Sequence, residues 1–124
     1  MRDPNCVLLY VTHPPSSAEF YAGLLGRPPV EASPNFAMFA LDSGVMLGLW
    51  ARADVQPAAA APTGSGELAF TLEANGAVDA LHADWAGRGL RIAQAPTIMD
   101  FGYTFVALDP DQHRLRVFAP GAGS

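Results

Sequence analysis

Apolar and polar positions along the chain switch between a strand period and a helix period, and the order of the switches occurs twice. Residues 6–11 form a short unbroken apolar run, the length and content of a buried strand. Across residues 16–25, Phe20, Tyr21, Leu24 and Leu25 recur at helical spacing. Ser16 or Ser17 is placed to cap that helix, and Gly26 is suited to end it. Strands are expected at 29–32, 35–41 and 45–51, with Asp42, Ser43 and Gly44 turning the last hairpin. Residues 51–66 carry Ala, Pro, Gly and Ser without an apolar period and read as a flexible connection.

Beyond that connection the order begins again. A strand at 67–73 is followed by Val78, Leu81, His82 and Trp85 at helical spacing, with residues 87–89 ending the helix. Strands are expected at 91–94, 103–108 and 113–118, with Asp109, Pro110, Asp111 and Gln112 as turn residues. Phe39-Ala-Leu-Asp42 aligns with Val106-Ala-Leu-Asp109, and Leu47-Gly-Leu-Trp-Ala51 aligns with Leu115-Arg-Val-Phe-Ala119. The pattern predicts an α+β fold of two βαβββ modules in tandem, with concave mixed sheets around a cleft. Module one spans 5–51, the linker 52–66, module two 67–119 and a frayed tail 120–124, all within one domain.

Composition narrows the partners. Half of the 124 residues are hydrophobic, enough for a real core. A net charge of −5 with only seven scattered basic residues excludes a nucleic-acid binder, which needs clustered cations. The single cysteine, Cys6, forms no intrachain disulfide and fits a reducing compartment; it is read as a small buried hydrophobe. No cationic start with an apolar run, and no stretch of spanning length, argues for a membrane. The expectation is a cytoplasmic protein.

The segments Ser17-Ala-Glu-Phe-Tyr-Ala-Gly-Leu-Leu-Gly26 and Leu108-Asp-Pro-Asp-Gln-His-Arg-Leu-Arg116 resemble the vicinal-oxygen-chelate (glyoxalase/bleomycin resistance/dioxygenase) superfamily. Within it, Pro29-Val-Glu-Ala-Ser-Pro34, Phe36-Ala-Met-Phe39, Leu47-Gly-Leu-Trp50, Pro96-Thr-Ile-Met-Asp-Phe-Gly102 and Arg114-Leu-Arg-Val-Phe118 are similar to phenazine antibiotic resistance proteins. The resemblance implies a homodimer. It also places Cys6, Gly48, Glu67 and Arg116 where superfamily enzymes hold a divalent metal. Gly48 brings no side chain and Arg116 a permanent positive charge, so neither a metal nor a cofactor is expected.

The expected function is therefore a metal-free protein that sequesters a planar aromatic antibiotic, with no catalytic residues. Met46, Gly48 and Trp50 share one strand face, as do Arg114, Arg116 and Phe118. Cys6, Leu8 and Tyr10, with Glu67, Ala69 and Thr71, complete the wall. Trp50 offers a stacking plate, Gly48 a gap for close approach of a flat ligand, and Arg116 a partner for a ligand carboxylate. The resemblance to the resistance proteins adds Phe36 and Met38 to this surface, where a thioether fits irregular aromatic outlines. Met99, Asp100, Phe101 and Tyr103 form a loop insertion able to act as a lid, with Gly102 as its flexible point. The alternative is a metal-dependent lyase, isomerase or dioxygenase using Glu67 and Cys6 with further ligands such as His13 or Asp100. His82 and His113 have no evident catalytic partner in the sequence.

Overall fold

A computed structural model describes residues 3–62 and 66–121. The chain divides between residues 63 and 64 into two compact units. Unit one contains β1 (Cys6–Val11), α1 (Pro14–Leu25), β2 (Glu31–Ser33), β3 (Phe36–Ala40) and β4 (Met46–Ala51). Unit two contains β5 (Glu67–Thr71), α2 (Asn75–Gly87), β6 (Arg91–Met99), β7 (Gly102–Leu108) and β8 (Arg114–Pro120). The α+β pattern of two βαβββ modules is thus present. Each unit holds a four-stranded mixed sheet, ordered β1-β4-β3-β2 and β5-β8-β7-β6. The first strand runs parallel to the last, and the remaining pairs are antiparallel.

Helix α1 starts earlier than the serines suggest. Pro14 and Pro15 occupy its first turn, where a missing N–H costs nothing, and His13 Nδ1 accepts from the Ser16 amide at 3.3 Å. Gly26 closes the helix in the left-handed region at φ 70°, as expected from its position. The buried side of α1 is Pro14, Ser17, Ala18 and Tyr21. Sheet one turns its own buried residues, Val11, Ala37, Phe39, Leu47 and Leu49, to one face. Removing a side chain such as Phe39 or Leu49 from water contributes roughly 1.5–3 kcal/mol. Unit two repeats the arrangement with aromatic rings: Trp85 of α2 meets Phe70 and Phe105 edge-on at 5.8 and 5.5 Å.

Other boundaries also differ from those the sequence predicts. The connector opens with an ordered 3₁₀ turn at Arg52–Asp54, and Val55 beyond it is buried. Residues 63–65 of that connector lie outside the described residues, as do 122–124 of the tail. The tail is not frayed at its start: β8 includes Pro120, and the Gly121 amide donates to the Phe101 carbonyl at 2.9 Å. Most consequentially, β6 continues to Met99, and the expected lid loop is a tight β6–β7 hairpin turning at Asp100 and Phe101. Gly102 is not a hinge. It is buried at φ +145°, and a Cβ there would run into the Ala119 carbonyl. Among the described residues no helix is long and apolar enough to cross a membrane.

The β7–β8 turn is built on a buried carboxylate. Asp109 Oδ1 accepts from the amides of Asp111 and His113 at 2.9 and 2.8 Å, and Oδ2 meets His113 Nδ1 at 2.8 Å. His113 therefore has a partner, but a turn-forming one. The hydrogen bond to Asp109 raises the His113 pKa above the ordinary 6.5, against the opposing effect of burial. A raised folded-state value means the imidazolium stabilises the fold fully below pH 6.5, and that gain is lost as pH rises through the folded value. Urea unfolding from pH 5.5 upward should show stability falling across that window in the wild type, with a flatter profile for His113→Gln. A Gly102→Ala variant should lose about 3 kcal/mol or more in the same assay, since both strain and a backbone clash oppose it.

Candidate functional site

The face of sheet one turned away from α1 is open, and the register shows what stands on it. Cys6 pairs with Met46, Leu8 with Gly48 and Tyr10 with Trp50 across β1 and β4. Phe36 pairs with Trp50 and Met38 with Gly48 across β3 and β4. Paired residues share a face, so five expected site residues (Phe36, Met38, Met46, Gly48 and Trp50) lie together. Tyr10 meets the Trp50 ring edge-on at 6.3 Å. A depression of about 570 Å³ opens here, within the range of small-molecule pockets. Its floor is Cys6 and Leu8 of β1, Phe36 and Met38 of β3, and Trp50 of β4. Glu31, Ser33 and Asn35, which the sequence reading did not single out, form its polar rim. Strand β2 has only three residues, too few for alternation to announce which face Glu31 and Ser33 take; pairing with Met38 and Phe36 decides it.

Two expectations for this face change. Cys6 is exposed rather than buried. The gap at Gly48 is already filled: a Cβ there would lie 2.5 Å from Leu8 Cδ2 and 3.3 Å from Phe36 Cζ. The glycine lets neighbouring side chains of the sheet cross over the strand, so any ligand meets Leu8 and Phe36 before backbone.

The face of sheet two turned away from α2 carries Arg114, Arg116 and Phe118 from β8 and Glu67 from β5. Arg116 forms a two-pronged ion pair with Glu67, Nε to Oε1 at 2.7 Å and Nη2 to Oε2 at 3.0 Å. Its Nη1 donates to Thr104 Oγ1 at 3.2 Å and Gln94 Oε1 at 3.4 Å. The Arg116 hydrogen bond holds the Glu67 carboxyl below the usual carboxylate range, with burial opposing and Arg114 adding a smaller attraction. Arg116 is thus supplied with an internal counter-ion: of the two partners its type allows, a ligand carboxylate or a protein Glu or Asp, it has the second. Phe101 of the hairpin folds onto this group, 5.7 Å from Phe118 and 5.6 Å from the Arg116 guanidinium. Met99, which receives a contact from Gln94 Nε2 at 3.5 Å, and Asp100 sit exposed at the hairpin end. Tyr103 does not join them. It shares a face with Ala119, opposite Phe118, and its hydroxyl donates to Asp79 of α2 at 2.6 Å.

The residues at the superfamily's metal positions do not fit a divalent ion. Both oxygens of Glu67 are committed to a permanent cation, and Gly48 offers nothing. Among the described residues no three His, Cys, Asp or Glu side chains gather into a ligand set.

Residues 4–117 match the Glyoxalase/Bleomycin resistance protein/Dioxygenase superfamily. The chain is similar to a phenazine antibiotic resistance protein, EhpR, of Enterobacter agglomerans, at 29% identity over 92% of this chain and 89% of that one. Its structure is similar to the solution structure of protein ATC0852 from Agrobacterium tumefaciens, with TM-score 0.89 and 49% identity over 98% of this chain and all of the other. A crystal structure of a glyoxalase/bleomycin resistance protein/dioxygenase from Nocardioides shares the fold, with TM-score 0.85 at 23% identity over 100% of this chain and 87% of the other. The sequence match over nearly the whole chain, on top of two βαβββ units, makes this protein a member of the glyoxalase/bleomycin resistance/dioxygenase superfamily.

Proposed function

We propose that this protein binds a planar aromatic small molecule of the phenazine kind and sequesters it without chemical change. The observation that carries the reading is the open apolar depression of unit one, with the Trp50 and Phe36 rings and the Met38 thioether on a face that α1 does not cover. Flat rings gain about 0.5–1.5 kcal/mol from each aromatic contact beyond area burial, and methionine conforms to irregular aromatic outlines. The likeness to a phenazine resistance protein supports a role in resistance. The mismatch between the donor set and a divalent metal supports binding over turnover. The protein acts in the cytoplasm, as a homodimer, and needs no metal or cofactor. The Met99 to Phe101 hairpin and the Arg116 group are a second aromatic surface available for ligand contact in unit two.

Tryptophan fluorescence tests the reading directly. Trp85 is locked in the core at 4% exposure, so a quenching ligand reports on Trp50. Titration with phenazine should give saturable quenching with a dissociation constant in the micromolar range or tighter. Trp50→Phe should abolish most of the quenching, and Trp50→Ala should weaken affinity about tenfold or more by calorimetry. The phenazine recovered after incubation should be unaltered. Chemical conversion, or no saturable response from a folded protein, would reject sequestration.

A further inference from the structure

We infer that the depression in unit one selects flat aromatics carrying a positive charge over those carrying a carboxylate, and that Glu31 makes the selection. The inference rests on the sequestration reading and adds the charge class of the ligand. The lining holds one formal charge, the Glu31 carboxylate, and no Lys or Arg. Strand pairing sets Glu31 opposite Met38, which directs it to the open face beside the aromatic floor. Glu31 is exposed and has no ion-pair partner among the described residues, so its charge is available to a ligand. On the neighbouring rim the Ser33 hydroxyl is engaged: its Oγ donates to Asn35 Oδ1 at 2.9 Å and lies 3.2 Å from the Phe36 carbonyl. Arg116, the residue whose type suggested carboxylate recognition, has its charge matched by Glu67. A ligand carboxylate set beside Glu31 meets repulsion with no compensating cation, whereas a protonated ring or amine nitrogen gains a counter-charge.

Calorimetric titration with three tricycles of similar size tests this: phenazine (neutral), phenazine-1-carboxylate (anionic at pH 7) and proflavine (cationic at pH 7). Proflavine should bind about tenfold or more tightly than the carboxylate at low salt, with the gap narrowing as salt is added. Glu31→Gln should cost proflavine about fivefold and leave phenazine unchanged, as expected for one partly exposed charge pair. Glu31→Lys should reverse the order. Glu19→Gln, on the exposed side of α1, alters net charge equally and should leave the ratios as they were. Equal effects of the Glu31 and Glu19 changes, or a carboxylate that binds as well as the cation, would overturn the selection while leaving sequestration standing. Failure of all three tricycles to bind would overturn both.

Discussion

The parallel pairing of the first and last strand in each unit is the constraint from which the rest follows. β1 on β4 and β5 on β8 place a strand from each end of a unit side by side, so the two remaining strands extend the sheet on the far side of the last one, and the helix packs on one face. Once it forms, alternation leaves no freedom. Leu47 and Leu49 go under α1, and Met46, Gly48 and Trp50 go to the open face. A slip of one residue would exchange these sets, exposing the fully buried Leu49 and placing Trp50 against the helix. The apolar cost of that exchange protects the register, and with it the composition of the candidate site.

The faces turned away from the two helices are organised along different physical lines. In unit one the face is apolar and aromatic, its centre closed by Leu8 and Phe36 leaning over Gly48. In unit two the corresponding face is organised by charge. Glu67 and Arg116 neutralise each other through two hydrogen bonds, Thr104 and Gln94 accept from Arg116 Nη1, and Phe101 covers the group. A carboxylate that elsewhere in the superfamily suits a cation is here satisfied by a side-chain cation. Arg116 cannot leave as a metal can, so the arrangement fixes Glu67 in place and removes its ligand capacity.

The hairpin beside that face is held by backbone contacts as well as by the Phe101 ring. Gly102 stands where a Cβ has no room against Ala119, and Gly121 ties the chain back to Phe101. The β7–β8 end is held by Asp109, buried and bonded to two amides and an imidazole. Both ends of sheet two thus carry polar contacts that satisfy backbone groups at a sheet margin.

Much of this was legible in the chain itself. The doubled order of apolar runs and helical stripes contains the two modules, because strand and helix periods follow from backbone geometry alone. The same alternation puts Met46, Gly48 and Trp50 on one face, and the Asp109 turn shows in its residue types. What the sequence could not contain were contacts set by strand order and by which residue reaches which partner. Pairing of β2 with β3 brought Glu31 to the rim, and the β5–β8 register joined Glu67 to Arg116 across 49 residues of sequence. The extension of β6 to Met99 turned an expected lid into a hairpin and sent Tyr103 to the helix side. Periodicity is local and survives in a linear chain; partners distant in sequence are chosen only when the sheet closes, and that choice decided which charges on these faces remain free.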